Sequence, residues 1–435
     1  MTPPTGFSID VDHNEYLAEG DTVVDAVVTV TCHTDPEPTG TTAGGLAQVI
    51  MIDCSGSMTG SRIAEAKRAT RAVIESLPDG VRFAVVAGAT LGTMAYPATY
   101  TTAVAGPQTR AEASRAVNRL TAGGGTAMGT WLRTAHRLLA DAPTEVKHAL
   151  LLTDGFNQHE SLDTLTETLD ACQGTFVCDA CGIGKDWHGS EIRLIADRML
   201  GEASGLPEES DWKAGFARIT QAAMRKTIGD LTLRIFTPAR NEIRFIKQMN
   251  PSIVDLTDRR REHDAKTGDY PTGAWGTETR EFHIQVAVPP IRPHDDRLAA
   301  RISVLAGTTE LARDMITARW TGDTMLSTRL NPKVAHYTGQ AELADRIQEG
   351  VAAAKAGDTD TATLHLGEAL RLADQAGNEH TAKLLGRLVH VDPDTGTARI
   401  NSHARSVDLE MADVASVKTV TVRRDRRTED PGGDR

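Results

Sequence analysis

The strongest constraint on how this chain folds lies between residues 46 and 228, where short unbroken apolar runs alternate with stretches of helical periodicity. The runs 46–52, 81–87, 146–152 and 175–183 read as buried central strands. Between the first two, Ile63, Ala66, Thr70, Val73, Ile74 and Leu77 follow helical spacing, and Pro78-Asp79-Gly80 stops the run. Strands that alternate with helices imply right-handed crossovers and a mostly parallel sheet covered on both faces.

The flanks follow a different rule. Val24, Ala26, Val28 and Val30 are apolar while Asp25, Thr29 and Thr31 punctuate the odd positions, the period-2 pattern of a half-buried strand. Residues 33–45 are turn-formers and read as a linker. From about 229 the strands return without helices between them. Leu231, Leu233 and Ile235 alternate, as do Phe282, Ile284, Val286 and Val288, and further runs fall at 241–249, 300–306 and 311–320. These suggest an antiparallel β-sandwich. The N-terminal strand needs a β neighbour, and the simplest arrangement pairs residues 22–31 with strands from 229–320. The α/β domain is then an insertion in, or a neighbour of, that sandwich.

Residues 338–390 read as helical, with Leu343, Ile347 and Val351 on one stripe, Leu366, Ala369, Leu370 and Ala373 on another, and Ala382, Leu385 and Leu388 on a third. The stretch around Gly357 resembles a single tetratricopeptide-like helix pair. The expected organisation is therefore multidomain, combining α/β, all-β and α parts. Residues 1–33 give the first sandwich strands, 46–228 the α/β domain, 229–330 the rest of the sandwich, and 335–392 a helical segment. Residues 393–435 form a C-terminal extension whose charged end is expected to fray.

Asp53-x-Ser55-x-Ser57 follows directly on the strand run VIMI, at the carboxyl end where ligands of open α/β sheets collect. GGGTAMGTWL offers Thr126 on a pliable glycine-rich loop that opens a helix. HALLLTDG ends another buried strand on Asp154. All five side chains are hard oxygen donors, the type that Mg²⁺ prefers. The plainer alternative is that Asp53 and Asp154 only cap helices and satisfy loop amides.

Taken together in this order, D-x-S-x-S, a Thr in a G-G-T loop and a strand ending in T-D-G resemble the metal-ion-dependent adhesion site of von Willebrand factor A (VWA) domains. The resemblance covers roughly residues 46–228 and implies a Rossmann-like fold. It further implies that Ser55 and Ser57 bind the ion directly, while Thr126, Asp53 and Asp154 act directly or through water. The implied ion is Mg²⁺, with Mn²⁺ or Ca²⁺ as alternatives, and a partner's carboxylate completes its shell. More loosely, the whole chain is similar to bacterial cytoplasmic proteins that join such a domain to β-sandwich and helical modules. Some of those accompany Ser/Thr kinases, phosphatases or phosphopeptide-binding proteins.

Other features carry less. Cys178 and Cys181 lie three apart in a predicted strand and so face opposite ways, and no second pair supplies the rest of a zinc site. Cys54 reads as a packing residue, and His148 and His336 as structural histidines. Gly123–Gly129 lacks a phosphate-binding lysine, and no G-x-S-x-G elbow is present. Tyr270 and Trp275, in the loop 268–276, either plug the end of the sandwich or form a recognition surface. Arg62 and Lys67 are spaced as helix-surface residues.

A net charge of −12 argues against generic attraction to nucleic acid or anionic membrane. The start has no basic and apolar signal pattern, no run of about 18 apolar residues occurs, and five scattered cysteines fit reduced thiols. A cytoplasmic protein is expected, without a membrane span. The functional expectation is a non-enzymatic, Mg²⁺-dependent module that grips an acidic side chain on a protein partner. Two alternatives stand beside it: a subunit whose metal is purely structural, and a metal-dependent phosphohydrolase.

Overall fold

The computed structural model describes residues 6–33, 45–290, 296–391, 398–401 and 403–421. The linker expected within 33–45 falls largely outside them, as does the charged end of the chain after 421.

The apolar runs of the middle region assemble into one seven-stranded sheet. Its order is Ala203–Leu206, Val177–Ile183, Val146–Thr153, Leu46–Asp53, Arg82–Gly88 and Gly92–Tyr96, with Ala103–Val104 also pairing with Arg82–Gly88. The first five strands are parallel, and the last two elements run antiparallel. Leu46–Asp53 lies at the centre and is buried at every position. Its alternate residues serve opposite layers. Val49 and Met51 pack with Trp131, Leu132, Leu165 and Ile192 from helices Met128–Ala140, Leu162–Cys172 and Gly189–Arg198. Ile50 and Ile52 pack with Val73, Ile74, Val117 and Phe216 from helices Ser61–Ser76, Pro107–Asn118 and Trp212–Met224. Each fully buried aliphatic side chain stabilises the fold by roughly 1.5–3 kcal/mol, so this strand anchors whatever its carboxyl end carries. Cys178 belongs to the first layer and Cys181 to the second, so the two thiols do face opposite ways.

The flanking segments form two further sheets. One is antiparallel throughout, in the order Phe7–His13, Val23–Cys32, Thr279–Ala287, Glu242–Asn250, Val254–Asp255. The strand Val23–Cys32 thus finds the partner that its alternating pattern needs, with Val28 opposite Phe282 and Ala26 opposite Ile284. The other sheet runs Arg261–Asp264, Thr267–Pro271, Leu231–Phe236, Asp296–Ala306, Thr309–Thr321, Tyr16–Ala18. Val24, Val28 and Phe282 of the first share one apolar cluster with Leu233, Ile302 and Trp320 of the second. Tyr270 and Trp275 are buried in that cluster, which excludes them from a recognition surface.

Segments on both sides of the α/β domain contribute to these sheets, and the domain's two ends meet. The carbonyl of Gly45 accepts from the Val146 amide at 2.9 Å, and Gly229 packs against the Glu145 carbonyl. Both lie at the amino edge of the parallel sheet.

Helices Pro332–Ala356, Thr359–Gln375 and Glu379–Leu388 follow, the first two packed together. Val334 and Tyr337 of the first pack on Val27 and Met249 of the antiparallel sheet. A fourth helix, Ser406–Ser416, lies within the C-terminal extension, to which the sequence pattern assigns no element. Its buried face carries Asp408, Glu410 and Asp413 among Val407, Ala412 and Val414, so no clean apolar stripe marks it. The carboxylates are paired. Glu410 accepts from the Gly189 amide (2.7 Å) and from Lys355 (2.7 Å), Asp413 meets Arg193 (2.8 Å), and Asp408 meets Arg405 (2.9 Å). Among the described residues no helix is long and apolar enough to cross a membrane.

Candidate metal centre

Three loops converge at the carboxyl edge of the central sheet, opposite the edge where the domain's ends meet. Asp53 closes the central strand and Asp154 follows its neighbour Val146–Thr153, so the parallel pairing sets the two carboxylates side by side. Both side chains are fully buried. Asp53 accepts from the Ser55 amide through Oδ1 (2.7 Å) and from the Thr153 hydroxyl through Oδ2 (2.6 Å). Ser55 Oγ lies 2.9 Å from Ser57 Oγ, and Ser57 donates to Asp154 Oδ1 at 2.6 Å. Thr126 Oγ1 and Ser57 Oγ both lie within 4 Å of the Cβ direction of Gly155, at 3.6 and 3.7 Å. All five residues singled out from the sequence are therefore brought together, and the exposed Ser57 opens the cluster to solvent.

The triple glycine predicts a pliable loop, yet this loop is tied down. The Gly56 amide donates to the Gly124 carbonyl (2.9 Å) and the Gly123 amide to the Cys54 carbonyl (2.8 Å). Gly124 supplies the left-handed backbone that the tie requires, with φ of 81°. Beyond Thr126, helix Met128–Ala140 begins without a capping side chain of its own. Asn157 and Glu160 take that role, accepting from the amides of Met128 (2.9 Å) and Gly129 (2.8 Å). Below the loop, Gly88 lets Trp131 approach: a Cβ there would stand 2.4 Å from the indole. The same indole donates to the Ala89 carbonyl at 2.7 Å.

Burial pushes the Asp53 carboxyl up to about 6, the nearby Asp154 charge adding to it against the hydrogen bonds from Ser55 and Thr153. Burial also pushes the Cys54 thiol up to about 12. Cys54 packs in the apolar layer with Ile52 and Met58, as its sequence reading expects.

Helical spacing alone predicts Arg62 on the helix surface, and here the prediction fails. Its guanidinium turns into the cluster, donating to Asp154 Oδ2 at 2.8 Å and to Asp186 Oδ2 at 3.0 Å. A long side chain in the first turn of a helix can fold back over the preceding loop, which periodicity does not register. Lys67 stays outside and donates to the Asn118 carbonyl. His159 also escapes the sequence reading, although the Thr126 amide points at its Nδ1 (3.3 Å). His148 and His336 are elsewhere and structural, bonded to Gln48 and Asp179 and to the Val420 carbonyl.

Two buried carboxylates and three hydroxyls make an all-oxygen donor set suited to a hard divalent cation. Asp53 takes its hydrogen bonds from neutral groups, so its charge has room for such a partner. Among the described residues, no group of three or more His, Cys, Asp or Glu side chains is placed to hold a metal. An ion here would thus depend on Ser55, Ser57 and Thr126 as well as on the acids.

With this geometry in view, comparison with solved structures is decisive. A protein described as von Willebrand factor type A from Catenulispora acidiphila is 42% identical, over 97% of this chain and 98% of its own, with a TM-score of 0.91. The chain belongs to the von Willebrand factor type A family. The family model for the von Willebrand factor type A domain matches residues 47–204, and that for the type A C-terminal domain matches 371–416. The second match includes helix Ser406–Ser416, so that helix is a family feature. The ArnB paralog VWA2 from Sulfolobus acidocaldarius shares the fold over 95% of this chain and 98% of its own, at 13% identity and a TM-score of 0.61. An uncharacterized protein from Synechocystis is 26% identical over 220 residues, and the chain spans about half the length of that curated relative (49%).

Proposed function

We propose that this chain is a metal-dependent protein-interaction module whose grip is the cluster of Asp53, Ser55, Ser57, Thr126 and Asp154. The observation that carries the reading is the convergence of these five oxygen-bearing side chains from three loops, closed by the Asp53–Ser55–Ser57–Asp154 hydrogen-bond chain. A bound Mg²⁺, or Mn²⁺ or Ca²⁺ in its place, supplies residual positive charge to which a carboxylate on a protein partner can bind. The chain's own residues do the rest. The tied glycine loop presents the Thr126 hydroxyl, Thr153 fixes the Asp53 carboxylate, and the exposed Ser57 leaves the cluster open to an incoming side chain. We read the two sheets with their shared core as a β-sandwich that supports this domain. The buried thiols of Cys54, Cys172, Cys178 and Cys181 support placement in a reducing compartment such as the cytoplasm, and a role in signalling or complex assembly goes with it.

The test is capture of partners by the purified chain with Mg²⁺ and again with EDTA. Affinity should fall at least about tenfold, roughly 1.4 kcal/mol, in EDTA or in Asp53→Ala, and the two losses should not add because both remove the same ion. A partner held equally by all three preparations would move recognition elsewhere. A second reading, a metal-assisted phosphohydrolase, gains Arg62 and His159 as groups beside the cluster. Phosphatase assays on the purified protein separate the two.

A further inference from the structure

We propose that Arg62 is a resident cation of the metal centre, which neutralises Asp154 when no ion is present and weakens divalent-ion binding so that it stays reversible. The inference rests on the metal reading above and assigns a role to a residue outside the five-donor set. Its basis is the bridge that Arg62 makes. One guanidinium nitrogen meets the fully buried Asp154 at 2.8 Å and the exposed Asp186 at 3.0 Å, and lies 3.4 Å from the Ser57 carbonyl. Asp154 also accepts from Ser57, so its two oxygens are divided between a metal-ligand hydroxyl and this cation.

A buried carboxylate without a counter-charge is costly, and Arg62 removes that cost without closing the site. Its side chain is 31% exposed against 0% for Asp154, so it reaches the buried carboxylate from the solvent side. It borders a groove of about 380 Å³ that Glu208, Glu209 and Lys185 also line. With Asp186 already bonded to it, Arg62 has a second carboxylate on which to rest when Asp154 is drawn toward an ion. A guanidinium and a divalent cation this close repel each other even in high dielectric.

The experiment is calorimetric titration of the full chain with Mn²⁺ and with Mg²⁺, comparing wild type with Arg62→Gln, Arg62→Lys and Asp186→Asn. Arg62→Gln, which removes the charge, should bind the ions more tightly, by about tenfold. Arg62→Lys should stay near wild type. Asp186→Asn takes away the resting place and should bind them more weakly by about two- to threefold. Should Arg62→Gln prove misfolded by circular dichroism, Asp186→Asn still decides, because Asp186 lies exposed on the surface. Unchanged or weaker binding in a folded Arg62→Gln, or unchanged binding in Asp186→Asn, overturns the proposal. If neither wild type nor any variant binds an ion at millimolar concentration, the metal reading itself falls and takes this one with it.

Discussion

The hydroxyl of Thr153 stands outside the cluster of five yet fixes Asp53, donating to its Oδ2 while the Ser55 amide donates to Oδ1. Removing it leaves a buried carboxylate short of a charge-assisted bond. Thr153→Val should therefore lower stability by about 1.5–3 kcal/mol in urea unfolding followed in EDTA, while Thr153→Ser stays close to wild type. The convergence of Asp53, Ser55, Ser57, Thr126 and Asp154 was legible in the sequence because three signals stand beside them: an apolar run ending on Asp53, another ending just before Asp154, and a triple glycine before Thr126. Arg62, Asp186, His159 and Asn157 carry no such signal. They reach the site from separate loops and a helix turn, and only the tertiary fold decides which way a long or polar side chain points there.

Strands were legible to within a residue or two, since 46–52, 81–87, 146–152 and 175–183 became Leu46–Asp53, Arg82–Gly88, Val146–Thr153 and Val177–Ile183. Continuous burial on both faces leaves little freedom in such runs. Helix Ser406–Ser416 was not legible, for the opposite reason: its buried face carries acids, and the partners of Glu410 and Asp413 lie more than fifty residues away. The contact between Gly88 and Trp131 shows how tightly one element fixes the next. Gly88→Ala would drive a methyl to within 2.4 Å of the indole. The strand or helix Met128–Ala140 must then shift, at a cost of about 1–3 kcal/mol. Thermal unfolding should report the loss, and altered tryptophan fluorescence the displacement.

Between the α/β domain and the two sheets, Lys226 at the end of the last domain helix pairs with Glu278, which also binds Arg280 at 2.7 Å. Arg280 in turn lies over the Trp275 ring at 4.4 Å. Burial opposes the Glu278 charge, but Arg280 and Lys226 outweigh it and hold the carboxyl below its ordinary value of 4.5. A depressed carboxyl stabilises the folded state above the unfolded-state value, and the contribution disappears as pH falls through the lower folded value. Glu278→Gln should thus cost about 1.5–3 kcal/mol at pH 7, and urea midpoints should converge with wild type as the pH drops below 4.5. The arrangement of this boundary has a further consequence. Chain entry at Gly45 and exit at Gly229 both abut residues 145–146, at the far end of the sheet from Asp53 and Asp154. A domain with adjacent ends behaves as a cassette, because its host sees only a short gap to close. The cluster of Asp53, Ser55, Ser57, Thr126 and Asp154 lies on the side away from that gap. The loops that carry the cluster can therefore change length or composition without disturbing the joint to the supporting sheets.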